Sequence, residues 1–412
     1  MLGRVQHRMQ APLKWSVRLV LAGIAAALGT ISVMQSVALV LPDSRIELAY
    51  ALAPNNGHVA GRYSQLLSGP NASAADQARA VAVANAALRH DPTAVEAVAT
   101  LAVAALLKGD RAAAERLLGY SQMLSRRDLR TQLMAIELAV AQGDIVGALR
   151  HYDIALRTKK DAPGVLYPVL IAALGDPAIR NGLVQLLRSQ PIWGSDFVNH
   201  VARSDGDPVA AAAFFRTLQE KRFPVSGPAS ATITNRLLAA GRFEDAWQYY
   251  ASFREGVHKG RSRDPNFTAV IDAPTSFDWI ATSRGGVSGS ILSDQGGGLF
   301  DFSISMGNGG IMLQQLQMLP PGDYVLEGRS VGVEQPARSR PYWRVRCRSG
   351  REVARADVPN STEKNGQFAG AMSIPADCPV QILALVARSS DDIAGVSGQI
   401  THLLLRPAKA TE

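Results

Sequence analysis

Cysteine is almost missing from this chain. Cys347 and Cys378 are the two in 412 residues, which excludes a disulfide-scaffolded class and any multi-cysteine metal cluster. Histidine is sparse and scattered (His7, His58, His90, His151, His200, His258, His402), with no HExxH and no pair at ligand spacing. Each reads as a surface or capping residue, and no metal site is expected. A Walker-type loop is absent. The nearest approach to a hydrolase nucleophile elbow, Gly286-Val287-Ser288-Gly289-Ser290, has Ser290 where the second glycine is required. Gly296-Gly297-Gly298 and Gly307-Asn308-Gly309-Gly310 read as hairpin turns and not as phosphate cradles. Carboxylates for glycoside chemistry need only meet in space, and nothing singles out Asp278, Asp294, Asp301 or Glu327 for that role. The expectation is a protein that is not an enzyme and carries no cofactor.

Charged residues are also few, 19% against 47% hydrophobic, which describes a folded chain of roughly two to three domains. Of the net charge of +8, four positive charges (Arg4, Arg8, Lys14, Arg18) stand in the first eighteen residues. The reason follows at once: Leu19–Leu41 is a run of 23 residues without a charged side chain, and about 20 suffice to span a bilayer as a helix. All flanking positive charge precedes it and Asp43 follows, so residues 1–18 read as a cytoplasmic tail and everything after Pro42 as external. A cleaved signal peptide, with Ser36-Val37-Ala38 as its small-x-small site, is the competing reading. The run is longer than the usual apolar region of a signal, about 7–15 residues, and favours an uncleaved anchor at 19–41. The Ala-rich composition points to a bacterial inner membrane with the body in the periplasm. Nucleic acid is not an expected partner in that compartment.

From Leu101 to Leu156 one pattern occurs twice. Gly109-Asp110 is followed by Ala114 and Leu118, and Gly143-Asp144 by Ala148 and Tyr152, an offset of 34 residues. Self-similarity at that period marks stacked helical hairpins. Taken as a ruler, Gly109, Gly143, Gly175, Gly206 and Gly241 are spaced 34, 32, 31 and 35 apart. Ala211 and Ala246 repeat the small residue, and Phe215 and Tyr250 the large one. The Gly175 copy breaks the pattern with Arg180 and Gly182, so residues 157–200 are expected to be irregular. These motifs resemble the tetratricopeptide repeat family over residues 43–256. The resemblance implies a scaffold that binds protein partners along its helices.

After a linker at 257–264 the period changes. Short alternating runs appear at Phe277–Thr282, Gly289–Ser293, Leu299–Ser305, Ile311–Leu316, Tyr324–Val331, Tyr342–Arg348, Gln367–Ile374, Gln381–Ala387 and Ile400–Leu405. They predict an antiparallel β-sandwich of roughly eight to ten strands over 265–408. The turn Leu319-Pro320-Pro321-Gly322-Asp323-Tyr324 leading into a strand, with the closing strand Ile400–Leu405, resembles the jelly-roll domains of carbohydrate-binding modules. The fold class expected is thus α+β multidomain: an anchor, an α-solenoid and a C-terminal sandwich.

Within Tyr342–Arg348 alternation sends Trp343, Val345 and Cys347 to one face and Tyr342, Arg344, Arg346 and Arg348 to the other. The second set is a candidate strip for an anionic partner or sugar, extended by Arg338, Arg340 and Arg351, with no acid from Pro336 to Gly350. It equally describes a solvated strand face whose arginines discourage edge pairing. Trp279 and Trp343 are the other aromatics to watch, and both read as core. Cys347 and Cys378, 31 residues apart, are expected to be bridged in an oxidising compartment. The reading is a non-catalytic, membrane-anchored periplasmic scaffold, by analogy in the assembly or export of a surface polysaccharide. The alternative is a carbohydrate-binding protein or carbohydrate-active enzyme working through the sandwich.

Overall fold

The structure is a computed structural model that describes residues 6–69, 71–294 and 297–408. Arg4, Pro70 and Gly296 lie outside the described residues, as do the side chains of Arg8, Lys14 and Asp294. Among the described residues the chain forms fourteen α-helices followed by ten strands. The helices are α1 (Gln6–Val40), α2 (Ile46–Leu52), α3 (Gly57–Leu67), α4 (Ala74–His90), α5 (Val95–Leu107), α6 (Arg111–Leu124) and α7 (Leu129–Ala141). There follow α8 (Ile145–Thr158), α9 (Ala162–Ala172), α10 (Pro177–Leu187), α11 (Gly194–Arg203), α12 (Pro208–Glu220), α13 (Gly227–Ala239) and α14 (Phe243–Phe253).

The chain divides into two compact bodies, residues Met1–Val169 with Pro191–Trp193, and Leu170–Gln190 with Gly194–Glu412. In the first, α1 contains an apolar stretch, Trp15–Val40, of mean hydropathy 2.0 and with none of its most apolar window buried. It is long and apolar enough to be a membrane span or a signal sequence. Its end is fastened to the helices that follow. Arg62 on α3 donates to the Leu41 carbonyl at 2.7 Å and pairs with Asp43 at 2.6 Å. Ala38 is fully buried in a cluster with Ile46, Ala49 and Val59.

The hairpins of this body form where glycine and aspartate stand together. Gly109 and Gly143 adopt φ of +79° and +72°, the left-handed turn that glycine enters without steric cost. The next residue caps the following helix: Asp110 accepts from Ala113 N–H at 2.9 Å and Asp144 from Gly147 N–H at 2.8 Å. Ala114, Ala148, Leu118 and Tyr152 are all buried, as their spacing requires. Gly241 repeats the turn at φ +74° in the second body, whereas Gly175 and Gly206 do not have positive φ. Gly175 ends a short 3-10 turn after α9, and its neighbour Asp176 caps α10 instead. Arg180, out of place in the repeat, donates to the Leu174 carbonyl at 2.9 Å.

That contact is one case of a recurring device. Arg130 on α7 donates to the carbonyls of Gln65 and Ser68 at the end of α3, at 2.9 and 2.7 Å. Arg236 on α13 reaches the carbonyls of Val201 and Ala202 in the last turn of α11 and of Gly206 beyond it. The last carbonyls of a helix have no partner within it, and a guanidinium carries several donors in a fixed plane. Burial lowers the pKa of both Arg130 and Arg236. These three positive charges therefore serve the fold.

The second body contains α10–α14 and the strands β1 (Ile280–Ala281), β2 (Val287–Asp294), β3 (Gly297–Ile304), β4 (Gly310–Gln317) and β5 (Gly322–Val331). The rest are β6 (Tyr342–Cys347), β7 (Glu352–Asp357), β8 (Gln367–Ile374), β9 (Gln381–Ala387) and β10 (Val396–Pro407). They build two five-stranded antiparallel sheets, ordered β1-β4-β9-β6-β7 and β2-β3-β10-β5-β8. The inward residues, among them Phe300, Phe302, Trp343, Val345, Leu383, Leu385, Leu403 and Leu405, make one core. The sandwich and the α+β class stand as the alternation predicts. Two details differ. Phe277–Thr282 supplies only the two-residue β1, because Asp278 folds back to accept from Thr275 N–H at 2.8 Å and turns the chain. The edge strand β7 escapes the pattern, since Glu352-Val353-Ala354-Arg355-Ala356-Asp357 buries little apolar surface.

Candidate functional site

Strand β6 lies between β9 and β7, and its burial alternates along its length. Trp343 and Val345 are fully buried, and Trp279 is in the same core with its ring 5.9 Å from that of Trp343. Tyr342, Arg344 and Arg346 are half-buried on the outward face. The structure brings these three together on one face.

Their neighbours explain the electrostatics. Across β6, Tyr342 stands opposite Asp357, Arg344 opposite Arg355 and Arg346 opposite Glu352 on β7. On β9 the same positions face Val386, Ala384 and Ile382. Glu352 is held by Arg355 through two bonds at 3.0 and 3.3 Å. The hydrogen bond to Glu352 raises the pKa of Arg355 above its ordinary value. Asp357 is taken by Arg388, which also donates to the carbonyls of Ala337 and Arg340. Both carboxylates are thus committed. Among the described residues Arg344 and Arg346 form no ion pair, and the Nε of Arg344 is shut from solvent without a hydrogen-bond partner. Like charges directly opposite one another, as at Arg344 and Arg355, are unfavourable. An anion laid on this face would relieve the arrangement.

Tyr342 is fixed in place. The guanidinium of Arg355 lies 4.2 Å from its ring centroid and that of Arg388 4.9 Å, cation–π contacts that hold the ring between them. Arg355 and Arg388 belong to this face and sequence reading missed them, because β7 and the turn after β9 gave no alternation to place them. Arg348, predicted as part of the strip, is beyond β6 and exposed, its guanidinium 5.0 Å over the ring of Phe243 at the start of α14. Of the extension, Arg351 pairs with Asp377. A disulfide joins Cys347, the last residue of β6, to Cys378 in the turn before β9, with Cα atoms 5.5 Å apart. Beside it Arg348 N–H donates to the Val380 carbonyl at 3.0 Å, so the end of the strip is tied covalently and by backbone bonds.

The other sheet offers a different surface. Its outward positions include Ser288, Ser290, Leu299, Asp301, Gln399, His402, Glu327, Arg329, Gln367 and Ala369, with no Trp, Tyr or Phe ring among the described residues there. Of the acids the sequence offered, the three whose side chains are described are engaged. Asp301 accepts from Gln399 at 3.0 Å, and Asp278 is buried against Tyr250. Glu327 meets Arg406 in two bonds at 2.8 and 3.1 Å. Among the described residues no group of three His, Cys, Asp or Glu side chains converges as a metal site.

The Glu327–Arg406 pair carries a pH signature. Hydrogen bonding to Arg406 lowers the pKa of Glu327, so the folded state holds this proton less tightly than the unfolded chain. Its contribution to stability is present above the ordinary carboxylate range and is lost as pH falls through the folded value. Glu327→Gln is expected to lower the urea midpoint more at about pH 7 than at about pH 3. An equal deficit at both would assign the loss to packing.

No family model matches this chain, and no curated protein matches it. Among solved structures it is similar to an arabinose-bound α-L-arabinofuranosidase, with 14% identity over 37% of this chain and a TM-score of 0.29. The chain covers 27% of the length of that enzyme. A xylan-binding domain from Paenibacillus barcinonensis is similar at 16% identity over 38% of this chain and 100% of that domain, with a TM-score of 0.27. A carbohydrate-binding module from a Cellvibrio mixtus lichenase, in complex with cellotriose, is similar at 13% identity over 32% of this chain and 98% of that one, with a TM-score of 0.22.

Proposed function

We propose that this chain is a non-catalytic, membrane-anchored protein of the bacterial periplasm whose sandwich binds an acidic polysaccharide on the β6 face and whose helices hold a protein partner. The observation that carries the ligand is the pair Arg344 and Arg346, side by side on an outward face where both nearby carboxylates are already taken. A polyanion supplies what that face lacks. A neutral glycan would call for an exposed aromatic platform, and Tyr342 is contacted by two guanidinium groups while the described residues of the other sheet present no outward Trp, Tyr or Phe.

The anchor reading is supported by the length of the apolar part of α1 and the basic residues before it, and the compartment by the disulfide. The repeated Gly-Asp turns, with matching φ and matching caps, support tetratricopeptide-like hairpins. In this reading Arg62 fixes the first hairpin to the end of the span, and one anchored chain that binds both a partner and a polymer is what assembly or export of a surface polysaccharide would need.

The test uses full-length protein in neutral-lipid nanodiscs, with polygalacturonate and pullulan of matched length as probes. The acidic polymer is expected to bind and the neutral one not. Arg344→Gln with Arg346→Gln should weaken binding about tenfold or more and flatten its salt dependence. Equal affinity for the two polymers, or an unchanged affinity in the double variant, would overturn the assignment.

A further inference from the structure

A second concavity, sharing no residue with the β6 face, lies in the body that contains the sandwich. It is a cleft of about 850 Å³ beneath the segment that leaves α14 and runs to β1. That volume falls within the range of small-molecule sites, roughly 300–1,000 Å³. Ile280 from β1, Ile291 from β2, Leu404 from β10 and Ile271 from the connecting segment give it apolar lining.

Its polar lining is unbalanced in a specific way. Arg254, one residue past α14, presents an Nε that is shut from solvent and has no hydrogen-bond partner. Its Nη2 makes a loose ion pair with Asp278 Oδ2 at 3.6 Å, beyond hydrogen-bond range, and the guanidinium lies 5.4 Å from the Phe253 ring centroid, so the unmet donor is Nε. Asp278 is already satisfied: Oδ1 accepts from the Tyr250 hydroxyl at 2.8 Å, and Oδ2 from Thr275 N–H and hydroxyl at 2.8 and 2.9 Å. The other inner carboxylate, Asp264, accepts from the backbone N–H groups of Thr268 and Ala269 at 2.8 and 3.2 Å. Glu255 is exposed. A guanidinium held partly out of water with a free donor is an unfavourable arrangement that a bound acceptor removes. Small-molecule sites combine this feature, one charged group that orients the ligand, with a mainly apolar wall.

We infer that this cleft binds a small organic carboxylate carrying an apolar body, with the carboxylate on Arg254 and the body against Ile280, Ile291 and Leu404. Arg254 is the residue that selects the acid over its neutral analogue. The site does not depend on polymer binding at β6, and either can fail without the other.

Calorimetry on full-length protein in nanodiscs, corrected with empty nanodiscs, tests it with phenylbutyrate and its neutral analogue phenylbutanol as probes. The expected result is saturable one-to-one binding of phenylbutyrate, with phenylbutanol about tenfold weaker. Arg254→Gln should bring the two probes to equal affinity, and Ile291→Trp, which fills the cleft, should abolish both. A wild-type far-UV circular-dichroism spectrum together with a cooperative urea transition certifies that each variant is folded. Absence of saturable phenylbutyrate binding, a preference for the acid that survives Arg254→Gln, or wild-type binding by folded Ile291→Trp would each overturn the proposal.

Discussion

Arg263→Ala is expected to destabilise the body containing the sandwich by roughly 3–4 kcal/mol, a large loss for a single side chain. Arg263 is among the few buried charged residues of the chain, and burial lowers its pKa to about 10. It stays charged at neutral pH because its donors are met. Nε donates to the Phe277 carbonyl at 2.7 Å, Nη1 to Gln317 at 3.2 Å, and Nη2 to the Leu316 carbonyl. The guanidinium is 5.5 Å from the ring centroid of Trp247 on α14 and 5.7 Å from that of Phe277.

Removing the side chain leaves buried acceptors without donors, each costing about 1–3 kcal/mol, while the recovered desolvation of the cation offsets part of that. Lysine would restore charge without the planar fork, so Arg263→Lys should recover little. Urea unfolding followed by tryptophan fluorescence measures the loss. A change below about 1 kcal/mol in Arg263→Ala would show that the buried acceptors find other partners.

The second large effect belongs to the disulfide. Replacing Cys347 and Cys378 together by alanine is expected to cost about 3–4 kcal/mol, the chain-entropy value for a closed loop of this size. The loop contains the end of β6, all of β7 and all of β8. Freed of the link, the unfolded chain gains the conformations that the bond removes. The same comparison can be made by unfolding the wild type with and without reductant. A reduced protein as stable as the oxidised one would contradict the expectation.

Both effects show what the sequence could and could not reveal. Spacing was enough to bury Ala114, Ala148, Leu118 and Tyr152, because a helix repeats its faces locally. Strict alternation was enough to bury Trp343 and Val345 and to leave Tyr342, Arg344 and Arg346 outside. It did not extend to Arg348, whose place over Phe243 depends on a helix about a hundred residues earlier in the chain. Arg263 read as part of a linker, and nothing local announces that its partners are Phe277, Leu316 and Gln317. The arginines that cap helix ends were invisible for the same reason: Arg130 meets Gln65 and Ser68, and Arg236 meets Val201, Ala202 and Gly206, all far off in sequence. The neighbour opposite Arg344 was hidden too, since β7 carries too little apolar surface to announce itself as a strand.

The most direct measurement of the central claim is amide hydrogen exchange on full-length protein in nanodiscs, with and without saturating polygalacturonate. Strands β6 and β7 and the turn at Arg388 are predicted to gain protection with the acidic polymer, while the outward face formed by β5, β8 and β10 stays unchanged. Protection confined to that second sheet or to the helices, with β6 exchanging as in the free protein, would contradict the account.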